Sequence, residues 1–254
     1  MPHLNELHEK FGPRGLSIIS VTSEGAGPTE KWVAENEVKY AYAYDKGGKL
    51  MRDMGVTGIP NAILINPAGK IVWQGGPGGL TDDLIEEHLA GSLKTPVWEW
   101  PKEASSVRTA LVKRQFKKAI DEAAELTGQE TGGIQESLIA LVEGRAKALS
   151  ADYESGDFLS AAESAKTIAQ ECAGLPAGDT AKEISKKISS DSEAKRVMKG
   201  QAAVRKLKQE ELKRPKEIEE AIAKLEKLSR KFEGTAAATE ADALAAQLAS
   251  RLEH

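Results

Sequence analysis

The chain has 254 residues, a formal net charge of −4 and one cysteine, so it is long enough for one or two domains with real cores and cannot form an intramolecular disulfide. Its acidic balance gives no global attraction to nucleic acid or anionic membrane, and no apolar run is long enough to span a bilayer. The four histidines (His3, His8, His88 and His254) are scattered, no Cys/His cluster has metal-ligand spacing, and no metal or other cofactor is expected.

The first segment, PHLNELHEKFG, places Leu4, Leu7, His8 and Phe11 on one helical face and stops at Gly12. GLSIISVTSEG predicts a buried strand from Leu16 to Val21. GPTEKWVAENEV predicts a helix through about Val38 with Thr29 as N-cap. YAYAYD sets Tyr40, Tyr42 and Tyr44 at strand spacing, and GGKLMRDMGV is a short helix carrying Leu50, Met51 and Met54. VTGIPNAILINPAGKIV then reads as a turn at Ile59-Pro60, a strand over Asn61–Asn66, a tight Pro67/Gly69 turn and a returning strand at Ile71-Val72-Trp73. A proline cannot donate to a ladder, so Pro60 belongs at the first residue of its strand, in a position where a cis bond is sometimes found. TDDLIEEHLAG is an acid-capped helix ending at Gly91. The order α-β-α-β-α-β-β-α is an α/β pattern.

Composition shifts near LKTPVWEWPKE. Residues 1–100 hold all four tryptophans and 9 Lys and Arg against 13 Asp and Glu, whereas the remainder holds 26 of each and is rich in Ala, Lys and Glu. The expected division is residues 1–95, a linker over 96–104 and an all-α helical-hairpin region over 105–251. Helices are predicted at Ser106–Leu126, Ile134–Glu154, Asp157–Ala173, Asp179–Ile188, Ser192–Lys213, Lys216–Phe232 and Glu240–Leu252. Phe116, Phe158 and Ile218 each precede an alanine by three residues, but they are 42 and 60 residues apart, so no fixed period emerges. Irregular tetratricopeptide-like hairpins and ordinary helical packing fit this pattern equally. Leu252-Glu253-His254 reads as a vector-encoded tag remnant and is set apart from the fold.

Most chemistry-bearing residues have a plain structural reading. Cys172 sits at a helix end, where the dipole does not activate a thiol. His8 has no nucleophile beside it. WQGGPGGL, residues 73–80, lacks the Lys-Ser/Thr ending of a phosphate loop, and Asp82 and Asp83 fit helix N-terminal charges. The basic stretch KRVMKGQAAVRKLKQEELKRPK interleaves acids and lacks aromatics, so it reads as a solvated face and no nucleic-acid partner is expected.

Three segments together carry a resemblance: MPHLNELHEKFGPRGLSIISVTSE, GVTGIPNAILINPAGKIVWQGGPG and TDDLIEEHL. Over about the first 95 residues the chain resembles the thioredoxin-fold proteins of the TlpA-like, AhpC/TSA–redoxin group. The resemblance implies an α/β thioredoxin-like fold, N-terminally incomplete, and a thiol–disulfide oxidoreductase ancestry. It implies that Ile59 and Pro60 form the cis-proline site that meets substrate backbone. It also implies a strand ending in Trp-Cys-x-x-Cys, which would lie upstream of Met1. Dithiol exchange needs a low-pKa thiolate and a resolving thiol, and residues 1–100 contain neither, so no catalytic residue is assigned and the chain is expected to be redox-inactive as written. A peroxiredoxin relationship would need a peroxidatic cysteine that is equally missing. The other class of function is a non-enzymatic adaptor, with a protein partner bound by the helical region. Without the implied central strand, SIISV and NAILI either close on each other, accept another segment, or are completed by a second copy in a homodimer. Met1 is followed by an amphipathic helix pattern, so an extracytoplasmic, periplasmic location is expected only with a signal peptide upstream.

Overall fold

A computed structural model describes residues 2–128, 131–210, 212 and 214–252. They form two compact units, Met1–Gly144 and Arg145–His254. Of the expected tag remnant, Glu253 and His254 lie outside the described residues, as does Met1.

In the first unit, α1 (Pro2–Phe11) buries Leu7 and Phe11 against Ile85 of α4 (Asp82–His88), with Leu4, Leu16, Ile18, Leu80 and Leu89 around them. Lys10 pairs with Asp82 at 2.5 Å, and Arg14 forks onto both oxygens of Glu86. These pairs are half-exposed, so the apolar cluster supplies most of the hold and the charges set the register. The chain leaves α1 through Gly15, whose φ of 114° favours glycine and whose missing Cβ would sit 2.6 Å from the Ser92 Cβ.

Two pairs of strands follow. β1 (Ile19–Thr22) pairs parallel with β2 (Ala41–Tyr44), Ile19 opposite Ala41 and Thr22 opposite Tyr44. Between them runs α2 (Ala26–Glu35), and α3 (Lys49–Asp53) leads on to the second pair. β3 (Ala62–Ile65) pairs antiparallel with β4 (Ile71–Gly75) through a turn in which Gly69 takes φ 82° and Asn66 Oδ1 accepts the Lys70 N–H at 3.0 Å. These are separate two-stranded sheets. Among the described residues β1 does not close on β3, and no other segment of the chain joins them. The strands read as buried are correspondingly half-exposed: Ile19, Val21, Ile65 and Ile71 all show large apolar surface, as do Tyr42 and Tyr44. The apolar pattern of a buried strand is present, but among the described residues nothing covers it fully.

Other boundaries also move. Thr29 is not the cap of α2. Gly25 precedes the helix, and the buried Thr29 hydroxyl donates to the Gly25 carbonyl at 3.0 Å inside it. The single helix predicted over Ser106–Leu126 is two, α5 (Ser105–Val112) and α6 (Phe116–Ala124), because Arg114 turns the chain at φ 56° and lets both helices bury their apolar faces, Val107 and Ala110 on α5, Phe116 and Ile120 on α6. Residues 96–104 are folded: Trp100 is buried, its Nε1 donates to the Thr95 carbonyl at 3.1 Å, and Arg108 donates to the carbonyls of Trp100 and Pro101. α7 (Ile134–Glu154) follows.

The second unit contains α8 (Phe158–Glu171), α9 (Pro176–Ser190), α10 (Ser192–Gln209), α11 (Pro215–Lys231) and α12 (Ala236–Ser250). α9 and α12 begin one turn before the predicted Asp179 and Glu240, and α10 stops at Gln209 short of Lys213, which is outside the described residues. α8–α9 and α11–α12 are corresponding hairpins displaced by 60 residues. Cys172 and Phe232 cap the first helices, Gly174 and Gly234 turn at φ 80° and 77°, and Ala181, Ile184 and Ile188 match Ala241, Leu244 and Leu248 in burial. The same 60 residues separate Phe158 from Ile218, and counting Phe116 in that series hides the correspondence. The second hairpin and α10 share one core around Val204, Leu207, Ile218, Leu225 and Leu244. Gly200 of α10 lies so close to Ala237 and Phe232 that a Cβ would fall 2.9 Å from the former.

Two outcomes are expected in urea unfolding of the chain. Gly178→Ala, which would put a Cβ 2.3 Å from the Cys172 carbonyl oxygen, should cost about 1–3 kcal/mol. Arg145→Met should cost about 3 kcal/mol, because Arg145 and Glu171 pair at 2.7 Å with side chains only 11% and 8% exposed, and Glu171 would keep a buried charge without this cation.

Candidate functional site

α3 ends at Asp53 with Met54 at its C-cap, and Gly55 turns at φ 65° to start the approach to β3. The Val56 N–H closes this turn on the Met51 carbonyl at 2.9 Å. Behind it the buried Asp45 carboxylate accepts the Met51 N–H at 3.1 Å. The Leu50 N–H, above all, holds the Asp45 carboxyl below the usual carboxylate range, against its burial. Sequence reading missed Asp45. The signal was an acid placed just before Gly47-Gly48 and a helix start.

The chain then reaches Ile59 and Pro60. Their peptide bond is cis, Ile59 is 81% exposed and Pro60 is exposed, directly ahead of β3. Asn61 Oδ1 accepts from Gln74 Nε2 of β4 at 3.3 Å, which ties the exit of the turn to the hairpin. This turn offers an apolar side chain and exposed backbone, and no nucleophile or base. The glycine-rich loop beside it packs on Trp73: a Cβ at Gly75 or Gly79 would fall 2.8 Å or 3.0 Å from the indole, so its glycines make room for a ring.

The remaining candidates are dispersed. His8 lies edge-on to Tyr40 at 6.4 Å, its Nδ1 buried without a hydrogen-bond partner, and His3 Nε2 contacts the Leu80 carbonyl at 3.0 Å. Asp82 and Asp83 occupy the first turn of α4, whose cap is the Thr81 hydroxyl accepting the Leu84 N–H at 3.3 Å. Among the described residues no group of three His, Cys, Asp or Glu side chains could hold a metal ion, and no helix is long and apolar enough to cross a membrane.

Cys172 is fully buried at the C-cap of α8. Burial pushes its thiol up, the Arg145 charge opposes this, and Glu171 adds to it. The native chain should therefore leave Cys172 unlabelled by a maleimide at about pH 7.5 and take up one equivalent once unfolded in urea, read by intact-protein mass spectrometry.

Residues 1–74 match the AhpC/TSA family. The chain is similar to the thiol-disulfide oxidoreductase ResA of Bacillus thuringiensis subsp. konkukian, 33% identical over 90 residues that make up 35% of this chain and 51% of that protein. ResA of Bacillus cereus strain ATCC 10987 gives the same values, and ResA of Bacillus anthracis is 33% identical over 95 residues, 37% of this chain and 52% of that one. The chain thus spans about half the length of the curated relatives it matches. No solved structure matches it significantly. The N-terminal region of the chain is thioredoxin-like and similar to the AhpC/TSA family and to thiol–disulfide oxidoreductases, and an all-helical region follows it.

Proposed function

We propose that the chain, as its sequence stands, is a thioredoxin-like protein without dithiol–disulfide activity. The observation that carries this is the position of its one thiol: residues 1–100 contain no cysteine, and Cys172 is buried in a helix hairpin. Exchange requires an accessible thiolate and a second thiol to resolve the mixed disulfide, and one inert thiol supplies neither. In this reading Ile59 and Pro60 keep the backbone-facing turn of the redoxin group as a binding surface, residues 1–95 form the thioredoxin-like part, and residues 105–251 the helical part.

The second reading is a non-enzymatic adaptor in which the helical, tetratricopeptide-like region takes a protein partner. The paired hairpins at a 60-residue offset favour it, because stacked hairpins build continuous surfaces. A homodimer that completes the sheets belongs to the same reading. It is favoured by four short strands that each carry a single ladder, together with the apolar surface of Ile19, Val21, Ile65 and Ile71.

Reduction of insulin by the purified chain with dithiothreitol should not exceed the reagent alone. Turnover above that background refutes the proposed inactivity. Light scattering after size exclusion should give twice the chain mass, and a clean monomer overturns the dimer.

A further inference from the structure

Gln201, on α10, is 1% exposed, the most buried polar side chain among the described residues. Its carboxamide is in full use. Oε1 accepts the Leu159 N–H at 3.0 Å, and Nε2 donates to Asp157 Oδ1 at 3.2 Å and to Glu240 Oε1 at 2.6 Å. Asp157 also caps α8 by accepting the Ser160 N–H at 3.1 Å. One buried nitrogen therefore holds two carboxylates that come from the two corresponding hairpins, Asp157 ahead of α8 and Glu240 in the first half of α12.

An amide has two N–H donors and no charge, so it satisfies both acceptors without neutralising either. Two carboxylates within reach of one nitrogen repel, and the cheapest relief is a proton on one of them. The charged groups that act on Glu240 are Asp157 from the start of α8, and Arg205 and Lys208 from α10. Among the described residues none on α11 contributes. Arg205 is largely spent elsewhere, on both oxygens of Glu163 at 2.8 Å and on the Ser160 hydroxyl at 3.3 Å. Asp157 is committed to its cap, so Glu240 is the member free to take the proton.

We propose that Asp157, Gln201 and Glu240 form a proton-operated clasp: protonation of Glu240 tightens the α11–α12 hairpin on α10 and α8, and ionisation loosens it. A protonated Glu240 still accepts from Gln201 through its carbonyl oxygen and no longer repels Asp157. The direction of its titration agrees: burial, the largest influence, raises the Glu240 carboxyl above its ordinary value, Asp157 adds to the rise, and the hydrogen bond from Gln201 and the charges of Arg205 and Lys208 oppose it without reversing it. A carboxyl raised in the folded state makes the fold more stable as pH falls through its folded-state value toward the ordinary glutamate range. Glu193, on the surface of α10, has the opposite sign. Its carboxyl is lowered by the hydrogen bond from Arg196, and its contribution fades only at lower pH, so the clasp acts in a separate window.

The test is amide hydrogen exchange of the full chain at about pH 7.5 and at about pH 4.5, the ordinary glutamate range in which the effect is developed, corrected for intrinsic rates. Protection in α11, α12 and the first turn of α8 should rise severalfold at the lower pH. Glu240→Gln should be well protected at both and lose the response. Unchanged or falling protection in the wild type, or an equal pH response in Glu240→Gln, overturns the clasp. If that variant does not fold, a carbon NMR titration of the wild-type Glu240 carboxyl decides. A midpoint above the ordinary glutamate range supports the clasp, and one at or below it refutes it.

Discussion

Backbone hydrogen bonding is the constraint on which the N-terminal region depends. Each of its four strands is four or five residues long and has one ladder, β1 with β2 and β3 with β4. Two-stranded ribbons are marginal in water, so these strands need support from elsewhere. Part of it comes from α1 and α4, where Leu7, Phe11 and Ile85 form a small closed core with Leu16 and Ile18 at the entry to β1. The opposite requirement, a covered apolar face on every strand, is unmet at Ile19, Val21, Ile65 and Ile71. The Ile59–Pro60 turn is likewise exposed ahead of β3.

The helical unit solves its packing problem differently. Its helices pack by close backbone approach: Gly178 lies against the Cys172 carbonyl, Gly200 of α10 against Ala237 and the Phe232 ring, and Gly174 and Gly234 provide the left-handed turns of the two hairpins. Close approach leaves little room for water, so a polar group trapped there must be satisfied in full. Gln201 meets that demand for Leu159, Asp157 and Glu240 together.

Chemistry and fold are separated in this chain. The region that matches the AhpC/TSA group offers a proline turn and no thiol, and the region that holds the thiol buries it beside an arginine–glutamate pair. Burial that raises a thiol pKa and removes it from solvent makes a packing residue, whatever reactivity its element carries elsewhere.

Several features were legible in the residues themselves. The α1 stripe of Leu4, Leu7 and Phe11, the NPAGK turn, the proline ahead of β3, the acid-capped α4 and the α11 pattern follow from local periodicity and turn chemistry, which act over a few residues and need no partner. The lone cysteine already removed intramolecular disulfide chemistry. Tertiary structure decided the rest. Arg114 breaks a helix that no Gly or Pro marks, because only the packing of α5 on α6 rewards a strained turn there. Thr29 enters a helix it was expected to cap, the 60-residue correspondence emerges once hairpins are compared in place of residue types, and strands that read as buried stay half-open. Burial depends on which neighbours arrive, and Gln201 shows it most plainly: a glutamine in a basic helix carries no sign, until folding brings two carboxylates from distant hairpins to its one nitrogen.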